Sequence, residues 1–342
     1  MKKKQKKSKP KSRSRRLALK LGVVAVIVLG LWGWAGEWYV HHSRKWLDAH
    51  EKSWPRFLTT GLAYFGNPLS DITDALAITG HDAVYEYDEE APVGSITFAG
   101  LPKRIGAPAP GDITILDRCE FIVGWSPSLR HPVFVAYHVA NDKKFEDGKR
   151  PSFLIDKSVA SAPRPEEYSK SGYDRGHMAP NHAIVSRYGE EARRKTFLMS
   201  NIAPQSASLN RAVWRELERR IADLWTSRYG EIWVIVGALP SSCNMRIGGG
   251  IDVPSAFFMV VTAQEGMDVR SFAVLFPNNC PWDAWAARYL LTIDELEELT
   301  GLDFNPDLPD FIQTPLEAEL PTRLWPIRKW DIFRQILIRY NY

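Results

Sequence analysis

Residues 173–180 read YDRGHMAP, and residues 199–220 read MSNIAPQSASLNRAVWRELERR. In the first stretch Asp174, Arg175, Gly176 and His177 set an acid, a cation, a flexible joint and a titratable base side by side. Phosphodiester hydrolysis asks for such a set: a base to take a proton from water, positive charge against phosphate oxygens, and usually a divalent ion. Gly176 permits a sharp turn or a close backbone approach. The second stretch reads as a short strand that turns helical from about Ser208, a suitable N-cap. Asn210, Trp214, Leu217, Glu218 and Ile221 then recur at helical spacing, which puts Asn210 and Glu218 toward the apolar face, where polar groups need a partner. A hard cation held by an amide oxygen, with waters ordered by a carboxylate, is one such partner. The plainer alternative is an Asn in a first helical turn and a solvent-exposed Glu.

Around these stretches, apolar runs of strand length lie at 121–125, 133–139, 232–239, 256–263 and 271–276, separated by turn residues. One long amphipathic helix is expected between the second and third runs and another at 292–300. The pattern predicts an α+β fold, an antiparallel sheet flanked by helices. No internal repeat is present. Three cysteines, Cys119, Cys243 and Cys280, lack paired C-x-x-C spacing, so a Cys243–Cys280 disulfide and three buried thiols both stand as readings. GGG at 248–250 has no following Lys-Ser/Thr and reads as a turn. His182 reads as a structural or surface histidine, and His131 and His138, beside a strand, as packing.

The 342 residues are 45% hydrophobic and carry a formal charge of +4. Residues 1–20 hold 11 of the 44 Lys and Arg and no acid, leaving 33 bases against 40 acids in the remainder. The body is therefore mildly acidic, and a polyanion would have to be bound by a local site. Residues 21–40, LGVVAVIVLGLWGWAGEWYV, have the length and apolarity of one transmembrane helix, with Trp32, Trp34, Trp38 and Tyr39 gathered at the outer end. Basic residues precede it, so the N-terminus is expected in the cytoplasm and everything after residue 40 in the periplasm or outside the cell. Cleavage as a signal peptide, with secretion, is the alternative. The chain thus divides into a basic cytoplasmic segment (1–20), a membrane segment (21–40), a stalk or packing segment (41–95), a catalytic domain (96–310) and a C-terminal helical tail (311–342). The tail, rich in tryptophan and basic residues, is expected to pack on the body or to touch lipid headgroups.

Taken together, DRGH at 174–177, N-x-x-P-Q at 201–205 and LN-x-x-x-W-x-x-L-E at 209–218 resemble the DNA/RNA nonspecific endonuclease family, of Serratia-type and endonuclease G-like enzymes. PNN at 277–279 and LTIDELEELTGLDFNPDLPD at 291–310 resemble its closing segment. The resemblance implies a ββα-metal site: a hairpin carrying His177 as general base, then a helix carrying Asn210 as the direct ligand of one Mg2+ ion, with Mn2+ or another divalent ion also compatible. It implies that Glu218 acts on the ion through water, that Arg175 steadies the phosphate, that Asp174 orients the site, and that Asn201 and Gln205 brace hairpin and helix. The family's arginine about 30 residues before its histidine corresponds to Arg150, with Arg130 and Arg164 as rivals. Met178 stands where the family usually has Gln or Leu. The implied partners are DNA and RNA, and homodimers occur in the family. A nuclease fold that binds without catalysis and a phosphodiesterase on small diesters are the competing functions. Because the base must be uncharged, and imidazole titrates near 6.5, activity is expected to fall in acid.

Overall fold

The computed structural model describes residues 85–86, 95–146 and 148–326. The expected membrane segment at 21–40 and the basic segment at 1–20 lie outside the described residues. Among the described residues no helix is long and apolar enough to cross a membrane.

The apolar runs become the strands of one antiparallel sheet. Its strands are β1 (Tyr85–Glu86), β2 (Thr114–Asp117), β3 (Phe121–Ser126), β4 (His131–Ala140), β7 (Glu231–Leu239), β8 (Ala256–Glu265) and β9 (Asp268–Pro277), in the spatial order β1-β9-β8-β7-β4-β3-β2. The short β10 (Leu290–Leu291) also pairs with β9. Two further strands, β5 (Asp174–His177) and β6 (Ile202–Gln205), form a separate antiparallel ladder.

Side chains alternate across a strand, and here both faces of the sheet are covered. Val274, Met259, Val236, Val135 and Val123 are successive cross-strand partners from β9 to β3, and all lie in the larger core cluster. One residue along, Ala273, Val260, Ile235 and Ala136 form the corresponding row on the opposite face. The first face is closed by α1 (Asn181–Thr196), α2 (Ala207–Arg211), α3 (Val213–Arg219) and α4 (Thr226–Tyr229), whose Trp214, Leu217, Ile221 and Trp225 reach the sheet together with the turn between α3 and α4. The second face meets Ile293 and Leu296 of α5 (Ile293–Thr300), and α6 (Asp310–Ala318) packs beside α5.

Several expectations are corrected. In place of one long helix between the second and third apolar runs there are two helical regions. The first, α1, is kinked at Gly189, where φ is 86°. The second is divided at Ala212 (φ −115°, ψ −106°) and passes through a π-helical turn, Arg220–Trp225. Its N-cap is Ser206, not Ser208: the Ser206 hydroxyl accepts from the Leu209 N–H at 3.2 Å. The sheet begins inside the expected stalk, because Tyr85–Glu86 pairs with β9. Past residue 310 the expected packing on the body is met: Trp325 is buried against Trp225, Tyr229 and Phe272, and its carbonyl accepts the Trp225 indole N–H at 3.0 Å. The last part of the expected tail, 327–342, lies outside the described residues. All three thiols are free, so Cys243 and Cys280 form no disulfide; Cys119 and Cys243 are exposed, so the reading of three buried thiols fails as well.

One detail shows how closely the strands are matched. Gly237 lies between Phe258 and Phe134 in register, and Phe134 lies beside Gly124, so aromatic rings alternate with glycines across four strands. A Cβ on Gly237 would stand 2.0 Å from Phe258 Cζ and 2.6 Å from the Val133 carbonyl oxygen. Gly237→Ala is expected to lower unfolding free energy by about 1–3 kcal/mol through overpacking. Urea unfolding followed by tryptophan fluorescence measures this, and an unshifted midpoint would contradict the packing described.

Candidate active site

The ladder of β5 and β6 carries the polar groups the sheet leaves no room for. Alternation sends Asp174 and Gly176 to one side and Arg175 and His177 to the other. Gly176 is required by a close approach: a Cβ there would lie 2.1 Å from Gln205 Oε1 and 2.4 Å from its Cδ. Gln205 is fully buried, and both its amide oxygen and its amide nitrogen have no hydrogen-bond partner.

On the first side, the Asn210 amide Nδ2 donates to Asp174 Oδ2 at 2.9 Å, which orients the Asn210 side chain. Arg211 completes the group by donating Nε to Oδ2 at 2.7 Å and Nη2 to Oδ1 at 2.5 Å of the same carboxylate. These donors hold the Asp174 carboxyl below its ordinary value although burial pulls the other way. Sequence reading assigned no role to Arg211. Its signal was present only as a basic residue adjoining Asn210.

On the other side, the His177 ring packs between Phe153, centroid to centroid 5.3 Å, and Phe197, at 4.7 Å edge-on. A parallel bridge between Leu154 and Leu198 brings these phenylalanines together, with Leu154 N–H donating to Phe197 O at 2.9 Å and Met199 N–H to Leu154 O at 2.9 Å. His177 Nε2 is buried and has no hydrogen-bond partner. Burial first, and the Arg150 charge second, push the imidazole down to about 3. The Arg175 guanidinium lies 5.4 Å over the Phe153 ring and donates Nε and Nη2 to the Pro165 carbonyl at 3.1 and 2.7 Å. Phe153 therefore touches both residues of this side, a contact that the sequence pattern did not reveal.

Glu218, partly covered on α3, is pushed up to about 8 by burial, against the pull of Trp214 and of the Arg150 and Arg215 charges. Arg150 is exposed, and its charge reaches both His177 and Glu218. Arg130, one of its rivals, is engaged elsewhere, with Glu167 at 2.8 Å and the carbonyls of Ser161 and Gly249. Arg164 caps the Pro165–Tyr168 turn through its backbone N–H to Glu167.

Bracing residues hold the unit in place. Asn201 is fully buried and saturated: Nδ2 donates to the carbonyls of Ala179 (3.0 Å) and Thr196 (2.9 Å), and Oδ1 accepts from Ala179 N–H at 2.9 Å. Asn278, from the PNN stretch, accepts the Ser206 N–H at 2.8 Å and donates to the carbonyls of Pro204 and Pro254, which pins the turn from β6 into α2. His182 pairs with Asp223 at 3.1 Å. His131 and His138 are buried, and GGG is the turn between the short strands Arg246–Ile247 and Ile251–Asp252.

Strand, strand and helix thus form a ββα unit whose ladder carries the His177 imidazole and Arg175 on one side and, on the other, the Asp174 carboxylate that orients the Asn210 amide, residue types that a nuclease uses. Residues 103–311 match the family model described as DNA/RNA non-specific endonuclease, and the chain belongs to that family. It is 34% identical over 221 residues to a nuclease of Nostoc sp. (61% of this chain, 79% of that one). It is 30% identical over 242 residues to mitochondrial endonuclease G of Bos taurus, again over 61% of this chain and 79% of that one. A chain in the crystal structure of the EndoG/EndoGI complex shares the fold, with TM-score 0.53 and 24% identity, over 58% of this chain and 89% of that chain.

The depressed His177 moves the expected fall of activity in acid to lower pH. An imidazole held near 3 is uncharged throughout the neutral and mildly acidic range, so loss of activity through its protonation falls well below 6.5. The same shift makes folding pH-dependent. The folded value is below the unfolded one, so this group's contribution is intact above 6.5 and is lost progressively as pH falls from there toward 3. The drop in Tm between pH 7 and pH 4.5 is expected to be smaller in His177→Phe than in the parent; equal drops would contradict the burial of the imidazole.

Proposed function

We propose that the chain hydrolyses phosphodiester bonds of DNA and RNA without sequence preference, with His177 as general base and a single divalent ion on Asn210. The observation that carries this reading is the pair of restraints described above. Asp174 takes the Asn210 amide nitrogen, leaving its carbonyl oxygen as the donor for a cation, while two phenylalanines hold an uncharged imidazole on the same ladder.

The residues fit a hard cation of the Mg2+ or Mn2+ class. Asn210 and Glu218 offer oxygen donors, and the unpartnered buried amide of Gln205 lies on the same ladder, opposite Asp174. Asn210 would hold the ion directly and Glu218 through intervening water. Such an ion, when bound, supplies positive charge for the departing 3′ oxygen. The protein groups do the rest. His177 takes a proton from water as the water oxygen bonds to phosphorus. The phosphorus–O3′ bond breaks in line, and the leaving oxygen keeps the electron pair and then gains a proton. Arg175, anchored by Pro165, and the exposed Arg150 face the phosphate charge. Asp174 acts by holding Asn210 and Arg211, not by touching substrate. No base-reading element is invoked, so contacts to phosphate and sugar favour action on many sequences. The apolar run at 21–40 would place this activity outside the cytoplasm, tethered to the membrane.

Digestion of supercoiled plasmid and single-stranded RNA by the full chain tests the reading. Cleavage is expected to need a divalent ion, to stop with chelator, and to fall by about 100- to 10,000-fold in His177→Ala, the range that general-base removal covers. Asn210→Ala is expected to raise the ion concentration needed. Activity retained in chelator, or a His177→Ala protein as active as the parent, would overturn it.

A further inference from the structure

On the opposite face of the sheet from the ββα unit, the closing segment gathers acids. Asp294 and Glu297 lie one turn apart on α5, and Glu317 lies in the last turn of α6. One carboxylate oxygen from each comes within 4.8 Å of the others. Their burial differs: Asp294 is exposed, Glu297 half-buried and Glu317 only 3% exposed. Asp303 adds its negative charge to Glu297 and to Glu317.

A cluster of acids can be a solvated surface, but a buried carboxylate oxygen argues against that here. Glu317 Oε1 is buried without a hydrogen-bond partner. Asn305, which is 1% exposed and held at φ 50°, lies with its side chain against the Glu317 carboxyl. The surrounding backbone is already fixed. Glu297 Oε1 accepts the Phe304 N–H at 2.6 Å, and Gln313 of α6 donates to Asp303 Oδ1 and to the Phe304 carbonyl, both at 3.3 Å. The acids are thus held together by the fold, although like charges this close repel. Such a group is stable only if it takes up a cation or keeps protons.

We propose that Asp294, Glu297 and Glu317 form a second divalent-cation site, of the calcium class, that clasps α5 to α6. Oxygen-only donors from carboxylates suit a hard cation, and calcium accepts the irregular geometry and mixed exposure of this group more readily than magnesium does. Burial pushes Glu317 up to about 9 and Glu297 up to about 7, so a cation has to displace protons from them. The site lies apart from Asn210 and needs none of the catalytic residues.

Calorimetric titration of the full chain with Ca2+ tests it, beside Asn210→Ala, Glu317→Gln and Asp294→Asn. Asn210→Ala is expected to keep one Ca2+ site and a Ca2+-dependent rise in Tm. Glu317→Gln and Asp294→Asn should bind at that site at least about tenfold more weakly and lose the rise. Asp294 is exposed, so its variant decides the matter if Glu317→Gln fails to fold. A chain that binds no Ca2+ once Asn210 is replaced overturns the proposal. So does a Glu317→Gln protein that is more stable than the parent without Ca2+ and titrates unchanged, the result expected if the acids share protons.

Discussion

A sheet that is buried on both faces cannot carry exposed polar chemistry on its own strands, and this constraint organises the whole protein. Each of β3, β4, β7, β8 and β9 alternates its side chains between two apolar cores, so a charged residue placed there would meet hydrocarbon on either side. The polar groups are therefore displaced onto the separate β5–β6 ladder and the helices that follow it. That ladder has one side against the oriented carboxylate of Asp174 and the other against the rings of Phe153 and Phe197. The opposed environments account for the opposed electrostatics. Asp174 is held ionised by Asn210 and Arg211, while His177, a short way along the same strand, is held neutral by hydrocarbon.

Much of this was legible in the sequence, for reasons that can be named. The five apolar runs are strands because a doubly covered strand needs continuous hydrophobicity, and each appeared at its observed place to within a few residues. DRGH and Asn210 stood out because titratable and amide groups are scarce in an apolar context and their order is specific, and the Asp174–Asn210 hydrogen bond joins the two stretches. What was not legible depends on contacts far apart in the chain. Phe153 is one phenylalanine among 15 until the Leu154–Leu198 bridge sets it against His177. Asn278 reads as part of a turn until its amide is seen to join the Ser206 and Pro254 segments.

The errors were equally physical. Ser206 and Ser208 are both competent caps by composition, and the choice falls to Ser206 because Asn278 already fixes its backbone N–H. The expected disulfide assumed that Cys243 and Cys280 meet, whereas one stands in an exposed loop and the other is buried near Tyr289. The packing expected of the segment beyond residue 310 is met at Trp325, which fills space beside Trp225.

The break at Ala212 has a consequence for how the spacing of Asn210 and Glu218 is inherited. In an unbroken helix, residues eight apart sit about 12 Å apart along the axis and about 80° apart around it. Here the amide and the carboxylate belong to two short rods joined at one bend, with Asn210 on α2 and Glu218 on α3. Their relative placement is thus written in a single pair of backbone torsions and not in the helical period. Substitutions along either rod leave that placement alone, whereas an inserted or deleted residue between 210 and 218 moves the bend itself. The seven-residue interval between them is accordingly a ruler whose length, more than its lettering, is under constraint.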